Sequence, residues 1–184
     1  MVAGLDEAGR GPWAGPVVAA AVVLKRRRFR VRIDDSKRLT PLQRERAFHA
    51  IHEHADVGVG VASHAVIERD NILQATRRAM QDALQQLPHC PDCLLVDGRI
   101  PPLADIPQHN LVHGESQSLS IACASIVAKV TRDRLMHFYD RLFPAYRFAE
   151  HQGYGTPAHL SALRAHGPSP LHRFTFRPIA ELLA

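Results

Sequence analysis

The run "PVVAAAVVL", Pro16 to Leu24, is apolar at odd and even positions alike. A strand sends alternate side chains to opposite faces, so one that is apolar on both must be covered on both. The run therefore predicts a central strand with helices packed above and below it. Ahead of it, "MVAGLDEAG" alternates loosely and reads as another strand, with the glycine- and proline-containing "RGPWAG" between the two. Two strands joined so closely form a hairpin, which argues against a purely parallel, doubly wound sheet.

The rest of the chain alternates helix and strand. Threonine-proline at Thr40-Pro41 suits an N-cap and first helical position, and opens an amphipathic helix. "DVGVGVAS" (Asp56 to Ser63) has the period of a strand. Apolar positions at Ile72, Leu73, Met80, Ala83, Leu84 and Leu87 then form a helical stripe. "DCLLVDG" (Asp92 to Gly98) reads as a buried strand ending in an acid, and "QHNLVHGES" (Gln108 to Ser116) as a shorter one ending in another. "SIACASIVAKVTRDRLMHFYDRLF" is a long helix with small residues on one face. "TPAHLSALRAHG" repeats the threonine-proline start and closes on Gly167, and "PIAELLA" reads as a last short helix. The class expected is α/β: a mixed sheet flanked by helices, followed by a helical C-terminal portion.

With 184 residues the chain is long enough for one domain with a real core. It carries 23 Lys and Arg against 18 Asp and Glu, a net charge of +5. That balance favours a polyanionic partner, nucleic acid first, through phosphate contacts. The densest basic stretch, "KRRRFRVR" (Lys25 to Arg32), reads as a solvated loop in preference to a phosphate-contacting edge. Three cysteines argue against a disulfide framework, and the lone Cys90/Cys93 pair lacks a second half with which to hold zinc. No apolar run is long enough to span a membrane, and acids occupy the N-terminal stretch where a signal peptide needs basic and then apolar residues. A cytoplasmic location is the default expectation.

Three of the strands end in carboxylates: Asp6-Glu7, Asp97 and Glu115. Loops at strand ends of open α/β sheets are where ligands bind. Taken singly, each acid reads as a helix cap or a solvated side chain. Brought together they would repel by several kcal/mol unless cations neutralised them. Hard cations with oxygen ligands, Mg²⁺ or Mn²⁺, suit such a set, and a pair of them about 4 Å apart can drive phosphodiester hydrolysis. Four acids at strand ends in a basic chain point to a metal-dependent nuclease.

The stretches "DEAGRGP", "DSKRLT", "NILQAT", "LLVDG", "ASIVAKVTRD", "HQGY" and "HRFTF", in this order, resemble bacterial ribonuclease HII, the type 2 ribonuclease H, over nearly the whole chain. The resemblance implies a ribonuclease H-like catalytic domain over 1–145 and a helical extension over 146–184. It implies an endonuclease that hydrolyses the RNA strand of RNA–DNA hybrids and nicks duplex DNA at embedded ribonucleotides, leaving 5′-phosphates. It also implies a monomer with no membrane attachment. Asp6, Glu7 and Asp97 match the metal-binding acids of that family, with Glu115 expected to complete the set for Mn²⁺ or Mg²⁺ in a two-metal mechanism. Gly9, Arg10 and Gly11 match its loop that senses the ribose 2′-hydroxyl, Ser36 and Lys37 its phosphate-proximal element, and Tyr154 its stacking tyrosine. Lys129, Arg132 and Asp133 read as helix packing and charge pairing, and His113 and His151 as polar surface residues without a role. Two positions depart from the pattern: Glu115 stands where an aspartate is usual, and Gln152 where a lysine is common. Rival readings are another nuclease of the same fold, or a hybrid-binding protein silenced by the altered fourth acid.

Overall fold

A computed structural model describes residues 1–183. Five strands, β1 (Val2–Ala8), β2 (Val17–Leu24), β3 (Ala55–Ala62), β4 (Cys93–Asp97) and β5 (Gln108–Leu111), form one sheet in the order β3-β2-β1-β4-β5. β1, β2 and β3 are antiparallel neighbours, and β4 and β5 add in parallel on the far side of β1. The mixed sheet expected from the N-terminal hairpin is thus present.

The doubly apolar run is β2, and its two faces enter two different cores. Val17, Ala19, Ala21 and Val23 pack with Leu5, Leu94, Val96 and helix residues Ile67, Ala79 and Met80 on one side. Ala20 and Val22 pack with Ile51, Cys123, Ile126 and Val127 on the other. The first face is covered by α2 (His64–Gln85), the second by α1 (Pro41–His54) and α3 (Leu119–Leu142). Small alanines in β2 let both layers approach closely, and Gly4 does the same in β1. A Cβ there would lie 2.3 Å from the Ser120 carbonyl carbon, so the first turn of α3 lies directly on the strand.

α1 begins as its sequence predicts, with the Thr40 hydroxyl and the Gln43 side chain forming a reciprocal capping box. α2 is interrupted at Asn71 (φ 67°), whose Oδ1 accepts the N–H groups of Leu73 and Gln74 and so recaps the helix just where the apolar stripe begins. The basic loop after β2 has an inner and an outer side. Phe29, Val31 and Ile33 pack on the α1/α3 core while Arg28, Arg30 and Arg32 alternate with them.

Beyond α3, the short helices α4 (Phe148–His151), α5 (Pro157–His166) and α6 (Arg177–Leu183) share a third core. In it Tyr146, Phe148, Leu163, Leu171 and Ile179 surround Met136 of α3 and Ala14 of the β1–β2 loop. The C-terminal part is therefore packed against the loop that follows the first pair of acids.

One expectation needs correction. The strand read as running to Glu115 stops at Leu111, and Glu115 sits on a one-turn 3₁₀ segment, Gly114–Ser116. His113 turns the chain there through the left-handed region at φ 56°. A strand could not continue through that conformation.

Candidate active site

The acids converge because of strand register. β1 and β4 are parallel with Leu5 opposite Val96, so Asp6 and Asp97 occupy the next rung on adjacent strands. Leu5 and Val96 both point into the α2 core, which turns Asp6 and Asp97 to the opposite, α3 face. Glu7 follows near the strand end, and the 3₁₀ turn after β5 brings Glu115 alongside. A cleft of about 220 Å³ is lined by these four acids together with Gly9, Arg10, Gly11, Ser36, Lys37 and Tyr154. All ten residues singled out from the sequence therefore share one cavity, with Ser125 and Lys129 of α3 and Asp35 completing its wall.

Protein donors hold one oxygen of each of three acids. The Glu7 N–H donates to Asp6 Oδ1 at 2.7 Å, Arg10 Nη1 to Glu7 Oε1 at 3.2 Å, and the Gly114 N–H to Asp97 Oδ1 at 2.7 Å. The second oxygen of Glu7 and one of Glu115 are buried without any partner. Burial, reinforced by the charges of Glu7 and Asp97, raises the Asp6 pKa well above the usual carboxylate range. Burial also raises that of Glu7, against the opposing pull of Arg10. Among the described residues no three acid, histidine or cysteine side chains are already drawn around one point. Even so, anionic oxygens that are buried, unpartnered and mutually repelling form a donor set that a divalent cation would satisfy.

Around the acids the remaining groups divide by type. Asp35 caps the 3₁₀ turn Ser36–Arg38 by accepting the Lys37 N–H at 2.9 Å, leaving Lys37 exposed at the rim. Ser36 is buried and accepts a hydrogen bond from Ser125 at 2.9 Å. Tyr154 is 45% exposed, which excludes a core role and leaves its ring open to a planar partner. The two glycines of the loop differ. A Cβ on Gly11 would meet only the Tyr154 ring, at 3.8 Å, whereas one on Gly9 (φ +97°) would lie 2.0 Å from Arg132 Nε. Gly11 is open towards the cleft; Gly9 is glycine because an arginine passes beneath it.

That arginine belongs to a set the sequence did not single out as functional. Arg132 and Arg173 are buried under the loop and donate only to backbone carbonyls. Beside them His151, His159 and His172 are also buried. The reading of His151 as a surface residue is therefore wrong: its ring Nε2 faces the Tyr146 carbonyl at 2.8 Å and its Nδ1 accepts the Gly153 N–H. His172 Nδ1 accepts the Ser169 N–H, its Nε2 meets His159 Nε2 at 2.9 Å, and His159 Nδ1 reaches the Tyr154 carbonyl at 2.9 Å. Only neutral rings can form that chain, and burial lowers the pKa of His159 and of His172 to about 4. "HRFTF" and the two histidines of "HQGYGTPAH" carry this signal, but a histidine without a visible partner reads as surface.

A mixed sheet with acids on its two central parallel strands, faced by a long helix and a glycine loop, defines a nuclease of the ribonuclease H fold. A sequence model of the family described as Ribonuclease HII matches residues 3–179, and the chain belongs to that family. Ribonuclease HII of Geobacter sulfurreducens is 56% identical over 99% of this chain and 84% of its own length. That of Chloroflexus aggregans is 53% identical over 100% of the chain and 89% of its own length. Among solved structures, ribonuclease H2 from Pyrococcus horikoshii OT3 superposes with a TM-score of 0.81 at 25% identity, covering 98% of this chain and 96% of that one. The protein is accordingly a ribonuclease H, an endoribonuclease acting on RNA–DNA hybrids.

Proposed function

We propose that the cleft hydrolyses a phosphodiester next to a ribonucleotide within a duplex, the 3′-oxygen of the ribose or deoxyribose leaving and the product carrying a 5′-phosphate. Its substrates are both RNA–DNA hybrids and DNA duplexes carrying embedded ribonucleotides. Asp6, Glu7, Asp97 and Glu115 hold divalent cations, Mn²⁺ or Mg²⁺, and the buried oxygens of Glu7 and Glu115 that lack partners carry this reading. A ribonuclease HIII of the same fold, with a TM-score of 0.71, has been solved with Mn²⁺. When bound, such ions supply Lewis-acid activation of water and stabilise charge on the leaving oxygen.

The chain's own groups orient the reactants. The hydrogen bonds from Glu7 N–H, Arg10 and Gly114 N–H fix one oxygen of three acids and leave others facing the cleft. Lys37, exposed at the rim, meets the phosphate backbone as a point charge. Gly9-Arg10-Gly11 lies against the sugar, where only a 2′-hydroxyl separates RNA from DNA. The exposed ring of Tyr154, beside Gly11, stacks on the neighbouring nucleotide. No protein nucleophile is required.

A duplex bearing one ribonucleotide, its all-DNA counterpart and a long hybrid, each with Mg²⁺ or Mn²⁺, test the activity. Cleavage only where a ribonucleotide is present supports the proposal. Salt-sensitive binding with no cleavage in either metal would establish the silent hybrid-binding alternative. Calorimetric titration of Mn²⁺ into the wild-type protein and Asp6→Asn tests the metal assignment without relying on turnover.

A further inference from the structure

Arg173 and Arg132 are 0% and 1% exposed, and neither forms an ion pair among the described residues. A guanidinium buried without a carboxylate is costly and persists only when its donors are all used. Arg173 Nη2 donates to the Gly9 carbonyl at 2.6 Å and to that of Gly15 at 2.9 Å, and Nη1 to the Arg10 carbonyl at 2.8 Å. Its Nε donates again to Gly15 at 3.0 Å. Arg132 donates to Pro16, Ala14 and Gln152 at 3.0, 3.2 and 3.0 Å. The backbone of Arg173 is itself pinned to the loop, its N–H donating to the Trp13 carbonyl at 2.8 Å, while His172 bridges to Ala14.

The consequence follows from peptide geometry. Among the described residues every peptide bond is trans. In a trans peptide the C=O of one residue and the N–H of the next point in opposite directions. The carbonyls of Gly9 and Arg10 are drawn inward to Arg173, so the N–H groups of Arg10 and Gly11 face outward, on the side where the loop lines the cleft. Neither N–H has a protein acceptor among the described residues. With both carbonyls withdrawn, this stretch of backbone offers donors and no acceptors. Burial and the nearby charge of Arg132 lower the Arg173 pKa only to about 9, so it stays cationic at neutral pH.

We propose that Arg173 is a positioning residue for substrate choice: by fixing the Gly9 and Arg10 carbonyls inward it presents a donor-only amide pair that favours a sugar bearing an acceptor oxygen over deoxyribose. This rests on the proposed placement of the substrate sugar against the loop. A site built to donate to a hydroxyl rejects the analogue lacking it, because its donors are then left buried and unpaired. Arg132, lying under Gly9, supports the same loop from below.

The experiment compares the affinity of wild-type protein, Arg173→Met and Arg173→Lys for a duplex with one ribonucleotide and for the identical all-DNA duplex. Ca²⁺ replaces the metals that support cleavage, and each variant's folding is checked by thermal melting. The ribonucleotide preference is expected to fall at least tenfold in Arg173→Met, towards unity, with all-DNA affinity changed less than twofold. Arg173→Lys, which keeps the charge but loses the planar fork, should behave as Arg173→Met. Loss of folded protein alone lowers both affinities together, so a ratio kept at its wild-type value overturns the proposal. Where Arg173→Met does not fold, amide spectra of ¹⁵N-labelled wild-type protein decide. The Arg10 and Gly11 signals should shift with the ribonucleotide duplex and not with DNA, and unmoved signals in a protein that prefers the ribonucleotide overturn it. A wild-type protein with no preference at all would instead sink the underlying placement of the sugar.

Discussion

The acid cleft and the layer that supports it solve opposite problems with buried charge. In the cleft, Asp6 and Glu7 lie side by side, the Asp6 carboxyl resists ionisation, and oxygens of Glu7 and Glu115 have no partner. Beneath it, two buried arginines and the His159–His172 pair have their polar groups matched to carbonyls, amides or one another. Apart from the Gln152 side-chain oxygen, which is buried without a partner beside Arg132, polar groups are left unmet where a ligand is to meet them and satisfied where the loop is to be held still. The cleft gives up stability for chemistry, and the supporting layer keeps the geometry fixed while it does so.

The sharpest way to break that contrast is Asp6→Asn. Removing one charge-stabilising group from an enzyme site costs roughly 10²–10³-fold in rate, and Asp6 belongs at or above the upper limit. Cleavage should fall by about 10³-fold or more while the metal-free melting temperature rises, because a repelled and poorly solvated charge has gone. Turnover kept near the wild-type rate would remove Asp6 from the chemistry, and an unchanged melting temperature would remove the stored repulsion.

Arg132→Met probes the satisfied side. It strands the carbonyls of Ala14 and Gln152, at about 1 kcal/mol each, and leaves that of Pro16 with only the longer bond from Arg173 at 3.3 Å. A loss of about 2 kcal/mol lowers the melting temperature of a chain this size by roughly 4–8 °C. A drop under 2 °C would mean that the loop does not depend on the buried guanidinium.

Most of the fold could be read from the sequence because it rests on periodicity. The doubly apolar β2 run demanded two helical layers, and the Thr40-Pro41 and Thr156-Pro157 starts marked helices that cap as expected. The four acids could be read because like charges at strand ends have few uses. The length of β5 could not: nothing in "NLVHGES" marks His113 for the left-handed region. The buried arginines and histidines were hidden for a different reason. Their partners are backbone carbonyls and amides up to 164 residues away, and backbone groups carry no side-chain signature. Gly9 belongs to a loop expected to sense the ribose, and nothing in that motif shows that its missing Cβ also makes room for Arg132.

Opposite slopes with pH should separate the two regions. The neutral forms of His159 and His172 are favoured in the fold and their pKa values lie near 4, so the unfolded chain takes up protons first as pH drops below about 6.5. Stability is therefore lost on going from pH 6.5 towards 4, by on the order of 3 kcal/mol, about the contribution of one ring, because adjacent rings do not titrate independently. Asp6 has the opposite sign. Its protonated form is favoured in the fold, so without metal, stability is lost as pH rises from the ordinary carboxylate range through its raised pKa. His172→Asn should flatten the acid limb of a melting-temperature profile and leave the other, and Asp6→Asn should do the reverse. Both variants flattening the same limb would show that the regions are not separate.

The smallest effect expected is at Glu115, a glutamate where the resemblance leads one to expect an aspartate. Its turn cannot slide to absorb the extra methylene, because the Gly114 N–H is tied to Asp97 Oδ1 at 2.7 Å and a Cβ on Gly114 would already lie 2.7 Å from Ile121. The added reach must be taken up by the side chain, which places its carboxylate about one bond deeper into the cleft than an aspartate would. Mg²⁺ requires near-ideal octahedral geometry at about 2.0–2.1 Å, so it suffers more from that displacement than a tolerant ion such as Mn²⁺. Glu115→Asp should therefore shift the Mn²⁺/Mg²⁺ preference towards Mg²⁺ by roughly fivefold, about 1 kcal/mol, in cleavage rate and in calorimetric affinity alike. An unchanged ratio in both measurements would mean that the buried, unpartnered oxygen of Glu115 answers to something other than a metal, and the cleft would then be a three-acid site.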